Sequence, residues 1–405
     1  MQLKQLPEEF KQALPILTTI TAAGFEAYFV GGSVRDTILN KPIHDVDIAS
    51  SAYPAEVKNL FKKTVDTGIQ HGTVMILDHG HGYEVTTFRT ESGYQDYRRP
   101  DQVTFVRSLA EDLMRRDFTI NALAMNAKGV VTDLFGGGLT DLNDHVIKAV
   151  GDPAARFHED ALRMMRAVRF SSQLNFQIEA ETKQAIASQA ELLTKIAMER
   201  IHEEFVKLMM GGQAASQGVE QLISTKLYQY LPGLNERVSE LRPLADQKFE
   251  LANENQVWSF LAMTLGISAS QVSDWLKKWK TANKIVKDVT EMVQLLTVIK
   301  SQTVSNWDLY VAGRQNVLDA LAVSRWLNMP YRPDLLQHYD QLVITQKKQL
   351  TISGKELMQN QIVTAGPVLG QVLSYLEQQV VAGDLANEPD LLVLAAKNYV
   401  QEISK

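Results

Sequence analysis

VGGSVRDTILNKPIHDVDIA, residues 30–49, sets two carboxylates, Asp45 and Asp47, one residue apart, downstream of a Gly31-Gly32 pair and Arg35-Asp36. If 45–48 is a strand, both aspartates project from one face, because strand side chains alternate with period two. Two carboxylates side by side repel unless a cation sits between them. A divalent metal carrying a triphosphate meets that need, since Mg²⁺ is held through one or two carboxylates plus phosphate oxygens. The glycine pair supplies a turn whose N–H groups can approach a phosphate, and Arg35 adds a forked donor. A lone D-x-D is common on solvated surfaces. GG-x-x-R-D followed by D-x-D is far more specific.

Outward from that stretch, the first 150 residues alternate strands and helices. Residues 8–23 read as a helix containing Pro15, 27–30 as a strand, 33–39 as a helix and 45–49 as the next strand. Pro54 opens a helix over 54–61, proline being favoured in the first turn. Residues 73–77, 83–88 and 103–106 read as strands, with HGHG as the turn between the first two. This predicts an α/β region of four to five short strands. On the second of these, Glu84 is a candidate third carboxylate beside Asp45 and Asp47, the alternative being an exposed strand glutamate. The polar stretch 89–101 reads as a loop from which Asp96, Arg98 and Arg99 could touch a charged ligand or merely solvate it. Residues 109–114 read as a helix, interrupted by Arg115-Arg116-Asp117 before a second helical run. Arg116 suits triphosphate binding if it lies beside the carboxylates. DLFGGGLTDL, residues 133–142, reads as a glycine-rich hinge with an aspartate at each end.

Beyond residue 152 strand patterns vanish. In HEDALRMMRAVRF, an advance of about 100° per residue sets Arg163, Arg166 and Glu159 within roughly 120° of Asp160. Ala161, Met164, Met165 and Val168 gather on the other side, between about 40° and 140°. An i,i+3 salt-bridge ladder would satisfy such a stripe. One aspartate set against Arg163, Arg166 and Arg169 nonetheless leaves positive charge for an anionic ligand. Residues 191–210 read mainly as a structural amphipathic helix, and 211–218, GGQAASQG, as a linker. Residues 219–405 read as all helical. WLKKWKTANKIVK, residues 275–287, is the most basic stretch there and a candidate for backbone phosphate contacts, or a solvated helix face.

A chain of 405 residues exceeds one ordinary core, so two to four domains are expected. The absence of cysteine excludes disulfides and thiolate metal sites or nucleophiles. No run of eighteen apolar residues suits a membrane span, and the N-terminal stretch lacks a signal peptide's apolar segment, so a cytoplasmic protein is expected. A net charge of −6 argues against coating nucleic acid through bulk charge but leaves room for a local basic surface.

Taken together, VGGSVRD with HDVDIA, RRDFTINALA, DLFGGGLTDL, HEDALRMMRAVRF and the AMERIHEE segment resemble the bacterial-type (class II) CCA-adding tRNA nucleotidyltransferases, within the polymerase β-like superfamily. The motifs stand in that family's order and span residues 27–207. The resemblance implies an α+β protein: an N-terminal α/β nucleotidyltransferase head with a small mixed sheet (1–150), an all-α neck that reads the nucleotide base (151–215), and a helical body and tail that hold tRNA (216–405). It implies that Asp45 and Asp47 ligate Mg²⁺; Glu84, read from its strand position, is the candidate third catalytic carboxylate. Gly32, Arg35, Arg116, Asp160, Arg163, Arg166 and Arg169 take nucleotide-binding positions. The implied partners are tRNA, CTP and ATP, with no membrane; a homodimer stays open.

A carboxylate and a guanidinium are chemically apt readers of cytosine and adenine. Both bases present an exocyclic amino donor beside a ring-nitrogen acceptor, whereas uracil and guanine reverse that pattern. The implied reaction is in-line attack of the tRNA 3′-hydroxyl on the α-phosphate, releasing pyrophosphate. Three alternatives remain. A bacterial poly(A) polymerase would carry a G-[RK]-[RK]-F signature where this chain has TVDTGIQHGTVMI. A partial CC- or A-adding enzyme would tend to lack the 89–101 stretch. A non-catalytic tRNA-binding protein would have little use for a bare carboxylate pair.

Overall fold

The four apolar residues Ala27–Val30 (β1) form the strand against which the N-terminal half is built. The helix Glu8–Ala22 (α1) packs on it with Phe10, Ala13, Ile16, Leu17 and Ile20, the spacing of a single buried helix face. The Phe10 and Phe29 rings meet at 4.5 Å; burying one such ring contributes about 2–3 kcal/mol. The computed structural model describes residues 1–95 and 99–403, so Asp96 and Arg98 lie outside the described residues, as does the Arg99 side chain.

Gly32–Ile38 (α2) leaves β1 through the glycine pair, and Asp47–Ser50 (β2) returns antiparallel to it. Pro54–Leu60 (α3) leads to Thr64–Gly68 (β3), Thr73–Asp78 (β4) and His81–Thr87 (β5). With Ala124–Met125 (two residues) and Val131–Thr132 further along, seven strands make one mixed sheet. Only β2 and β5 run parallel, and they set Asp47 beside Glu84 in register. The mixed sheet is larger than expected from sequence. Thr64–Gly68 was missed because TVDTG is polar and lies exposed at the sheet edge.

The stretch read as a loop is instead an antiparallel hairpin, Arg89–Gln95 (β6) against Arg99–Phe105 (β7). Its composition hid it, because a two-stranded ribbon with few apolar residues shows no buried alternation. After Leu109–Met114 (α4) the second helical run does not form. Thr119–Asn121 is a single 3₁₀ turn, and Ala124 and Met125 join the sheet. The glycine-rich segment is not a hinge either. Asp133 Oδ2 accepts from the Leu139 amide at 3.0 Å and Asp141 Oδ2 from the Thr119 hydroxyl at 2.6 Å, tying the short helix Gly138–Asn143 (α5) to the head.

From Pro153 the chain is mainly helical: Pro153–Glu159 (α6), Leu162–Leu174 (α7), Ala180–Gln189 (α8), Met198–Met209 (α9) and Ala215–Ser224 (α10); the neck expected to be all-α also holds a two-residue strand, Gln177–Ile178, parallel to Val146–Ile147. The α6–α7 pair was expected as one helix. It breaks at Asp160, whose backbone is extended (φ −138°, ψ 102°) and whose Oδ1 accepts the Leu162 amide at 3.0 Å. An aspartate capping its own successor competes with helix continuation. The expected linker at 211–218 is packed structure. A Cβ on Gly211 would stand 1.8 Å from Ser172 Oγ, so glycine there lets the chain lie directly on α7.

Residues Met1–Lys248 form one compact unit and Phe249–Lys405 a second. The second unit is wholly helical among its described residues. In its core Trp275 packs edge to face on Trp258 at 5.4 Å and Trp279 packs on it at a tilt, at 4.9 Å. Lys277, Lys284 and Lys287 face solvent beside Asp274, Asp288 and Glu291, at 3.6–3.8 Å. The basic stretch is therefore a solvated, partly neutralised face on a tryptophan core. No helix among the described residues is long and apolar enough to cross a membrane.

Candidate active site

Asp45 precedes β2 rather than belonging to it, and both Asp45 and Asp47 are exposed. The third carboxylate comes from the neighbouring strand: Glu84 lies in register with Asp47 across the parallel pair. Protein atoms crowd the Asp47 carboxylate from the cleft side. That desolvation pushes its pKa up; Arg116 opposes the shift, and Glu84 and Asp45 add to it. The three acids make no ion pair among the described residues, so their repulsion is only partly offset, by Arg116. Hard oxygen donors with surplus negative charge fit a divalent cation. Among the described residues no three His, Asp or Glu side chains gather closely enough to enclose a cation unaided. The donor set therefore suits a metal whose remaining ligands are phosphate oxygens.

The glycine turn sits directly above this edge. Gly31 has φ +71°, and a Cβ there would lie 3.1 Å from Arg116 Nη1 and 3.6 Å from Asp47 Oδ2. Glycine is required on both counts: the backbone is left-handed, and the space is taken by functional atoms. Gly32 opens α2, where Arg35 is 8% exposed. Arg35 does not reach into the cleft as a loose donor. Its Nε and Nη2 bind Asp36 at 2.9 Å each, and its Nη1 binds Asn121 Oδ1 at 2.7 Å.

The neck arginines are likewise paired, but not in the i,i+3 ladder that a continuous helix would give. Arg163 binds Glu159 Oε2 at 3.0 Å and the Arg156 and Arg115 carbonyls at 3.4 and 2.9 Å. Arg166 forks onto Asp117 Oδ2 at 2.8 and 2.5 Å, and Arg169 meets Glu204 at 2.6 Å. Asp160 lies 4.0 Å from Arg200, which comes from α9. The guanidiniums of Arg35, Arg166 and Arg169 also surround the buried Phe170 ring, at 5.0, 5.4 and 4.2 Å from its centroid. A ring face attracts cations, and more strongly when desolvated.

Asp117 is the hub. Burial alone would push its pKa up, but Arg166 and the Asn121 amide outweigh it and hold the carboxyl at about 2. Asn121 donates to Asp117 at 3.0 Å while accepting from Arg35, so one hydrogen-bonded chain runs from α7 to α2. Burial also lowers Arg169, to about 10, with Glu204 opposing.

These groups enclose a cavity of about 1110 Å³ lined by eight arginines and five carboxylates, an excess of three positive charges. It contains every nucleotide-binding residue expected from sequence: Gly32, Arg35, Arg116, Asp160, Arg163, Arg166 and Arg169. Asp45 and Glu84 lie instead in an adjoining cavity of about 560 Å³ with His44, His81 and Tyr83, and Asp47 lines both. Sequence reasoning missed Asp112, Arg115, Asp117, Asn121, Phe170, Arg200 and the hairpin residues Arg89 and Glu91. A charged triplet interrupting an apolar run was the visible sign for 115–117. Arg200 and Glu204 were hidden in a helix read as merely amphipathic.

The model described as the poly A polymerase head domain matches residues 27–148. The model for the probable RNA and SrmB-binding site of polymerase A matches 175–237, and that for tRNA nucleotidyltransferase domain 2 matches 249–396. A CCA-adding enzyme of Limosilactobacillus fermentum is 54% identical over 98% of both chains. One of Pediococcus pentosaceus is 53% identical over 98% of this chain and 100% of that one. The crystal structure of Bacillus stearothermophilus CCA-adding enzyme in complex with CTP superimposes with a TM-score of 0.88 at 38% identity, covering 99% of this chain and 100% of that one.

Proposed function

The chain belongs to the CCA-adding enzyme family, a nucleotidyltransferase family, and from that premise we propose that its cleft adds C, C and A to the 3′ end of tRNA, in the cytoplasm, from CTP and ATP without a nucleic-acid template. The observation that carries the reading is the position of Asp47. It lines both the arginine-rich cavity and the acidic one, so a triphosphate on one side and an attacking hydroxyl on the other would meet at its carboxylate.

Asp45 and Asp47, with Glu84 beside them, would hold Mg²⁺. Bound there, the ion lowers the pKa of the attacking hydroxyl and stabilises charge on the phosphoryl oxygens. Arg116 presents its guanidinium at the glycine turn, and Arg35 and Arg166 stiffen the wall behind it. The tRNA 3′-oxygen forms a bond to the α-phosphorus as the bond to the bridging oxygen breaks, and pyrophosphate leaves.

Base choice falls to Asp160 and Arg163. One Asp160 oxygen is committed to the Leu162 amide, which fixes the carboxylate and leaves its other oxygen to accept an exocyclic amino group. Three of the five Arg163 donor hydrogens are spent on Glu159, Arg156 and Arg115. The remainder can reach a ring nitrogen. Uracil would set a carbonyl against the carboxylate and an N–H against the guanidinium, and unpaired buried groups are what such sites reject. The helical segments 216–405 would hold the tRNA.

Purified protein given tRNA lacking its 3′ end, Mg²⁺ and labelled CTP, ATP or UTP should add CCA and stop. Long adenylate tails, or arrest after CC, would overturn the assignment. Asp160→Ala should relax rejection of UTP by at least about tenfold; unchanged rejection would remove the neck from base reading.

A further inference from the structure

Asp112 lies on α4 outside every motif that the sequence singled out, yet it is 1% exposed at the back of the arginine cavity. Its Oδ1 accepts from Arg115 Nε at 3.0 Å and Nη2 at 2.9 Å. The same oxygen takes the Arg89 backbone N–H, at the hairpin root, at 3.3 Å. Its Oδ2 accepts from Arg116 Nη2 at 3.4 Å. One buried carboxylate thus holds two consecutive arginines of the cavity and the first residue of the hairpin.

Charge and donor bookkeeping show what this arrangement leaves over. Arg89, Arg115 and Arg116 carry three positive charges against Asp112 and Glu91, since Glu91 meets Arg89 at 2.9 Å and Arg115 at 3.2 Å. Among the described residues Arg116 Nη1 bonds only the Asn121 carbonyl, at 3.3 Å, and its buried Nε has no hydrogen-bond partner. Burying an unpaired guanidinium N–H is costly unless something else accepts from it. The orphaned donor belongs to the guanidinium that stands against the Gly31 turn and Asp47, where an anionic oxygen would take it up.

We propose that Asp112 is the positioning residue for the triphosphate: it fixes the planes of Arg115 and Arg116 so that their spare donors face the phosphates, whichever base is attached. This rests on the reading of the cleft as a nucleoside-triphosphate site and deepens it. Asp112 never touches the nucleotide; it acts through the two arginines. A donor fork held by a carboxylate binds phosphate in one geometry, whereas a free arginine must be ordered on binding.

The test is Asp112→Asn, which keeps the shape and removes the charge. Loss of one charge-assisted contact to each arginine should raise KM for CTP and for ATP by the same factor, about tenfold. Inhibition by inorganic pyrophosphate, which carries no base, should weaken by a similar factor, and kcat should change less. A general loosening of the head would lower kcat and the melting temperature together without matching KM to pyrophosphate inhibition. Asp112→Glu keeps the charge on a longer stem, and should restore part of the affinity; it also serves as the measured variant should the asparagine form not fold. If Arg116→Met weakens pyrophosphate inhibition while both Asp112 variants leave it and both KM values unchanged, the Asp112 proposal fails alone. If Arg116→Met is also without effect, the triphosphate reading itself has failed. A change in KM for one base only would overturn the proposal in favour of base recognition.

Discussion

The acidic edge and the arginine wall meet at Asp47 but are finished differently. Asp45, Asp47 and Glu84 lie exposed on adjoining segments, without an ion-pair partner among the described residues, and desolvation, helped by Glu84 and Asp45 and opposed by Arg116, raises the Asp47 pKa. Arg163, Arg166 and Arg169 each meet a carboxylate within 3.0 Å, from Glu159, Asp117 and Glu204. The edge carries like charges that only Arg116 offsets. The wall is largely paired within the protein, with Arg116 Nε left over among the described residues. Buried hydrogen-bonded networks of this kind are rigid. An edge that holds a cation gains from unrelieved repulsion, because the ion then relieves it.

This comparison can be broken by experiment. The largest effect should come from Asp47→Ala, which is expected to lower nucleotide transfer by at least about a thousandfold while leaving the melting temperature unchanged or slightly higher, since repulsion is removed. Transfer of labelled CTP and a thermal melt on the same preparation check both halves. A large loss of stability would mean that the edge is structural.

Asp117→Ala should behave oppositely. Removing one partner of a buried pair leaves Arg166 uncompensated, at a cost of about 3–5 kcal/mol, readable by urea unfolding. Because folding holds Asp117 at about 2 rather than 3.8, its contribution is present above about pH 4 and is lost as pH falls toward 2. The shift corresponds to on the order of 2 kcal/mol. The stability gap between the parent and Asp117→Asn should therefore narrow across that window and stay constant above it. A gap independent of pH would show that Asp117 acts by packing alone.

The smallest effect should come from Glu84→Gln. It is expected to lower transfer less than tenfold and to bring the Asp47 pKa down toward an ordinary carboxylate, followed by NMR titration. An unshifted Asp47 would detach Glu84 from the edge.

How much of this was legible beforehand varies residue by residue. Asp45 and Asp47 were readable because two acids at period two next to a glycine turn are costly without a ligand, and that holds in one short stretch of chain. Glu84 could be suspected, but only the parallel pairing of β2 and β5 sets it beside Asp47. The arginines of 163–169 were readable as a set from their spacing, yet their partners were not. Asp117 and Glu204 approach from other elements, and the break at Asp160 overrode the helical period on which the expected ladder depended. Residues 89–101, most of the hairpin, read as a loop because its pairing, unlike its composition, is a tertiary fact.

The sequence by itself determined the α/β head and the mainly helical remainder, the acidic pair, the glycine turn and the arginines, since each depends on residues within a turn or two of one another. Tertiary structure alone decided which carboxylate meets which arginine, that Phe170 gathers three guanidiniums, and that Asp112 stands behind two of the cavity's arginines. Those pairings join residues up to 135 positions apart, as Arg35 and Phe170 do. Periodicity reports only which way a side chain faces, and folding supplies what it faces.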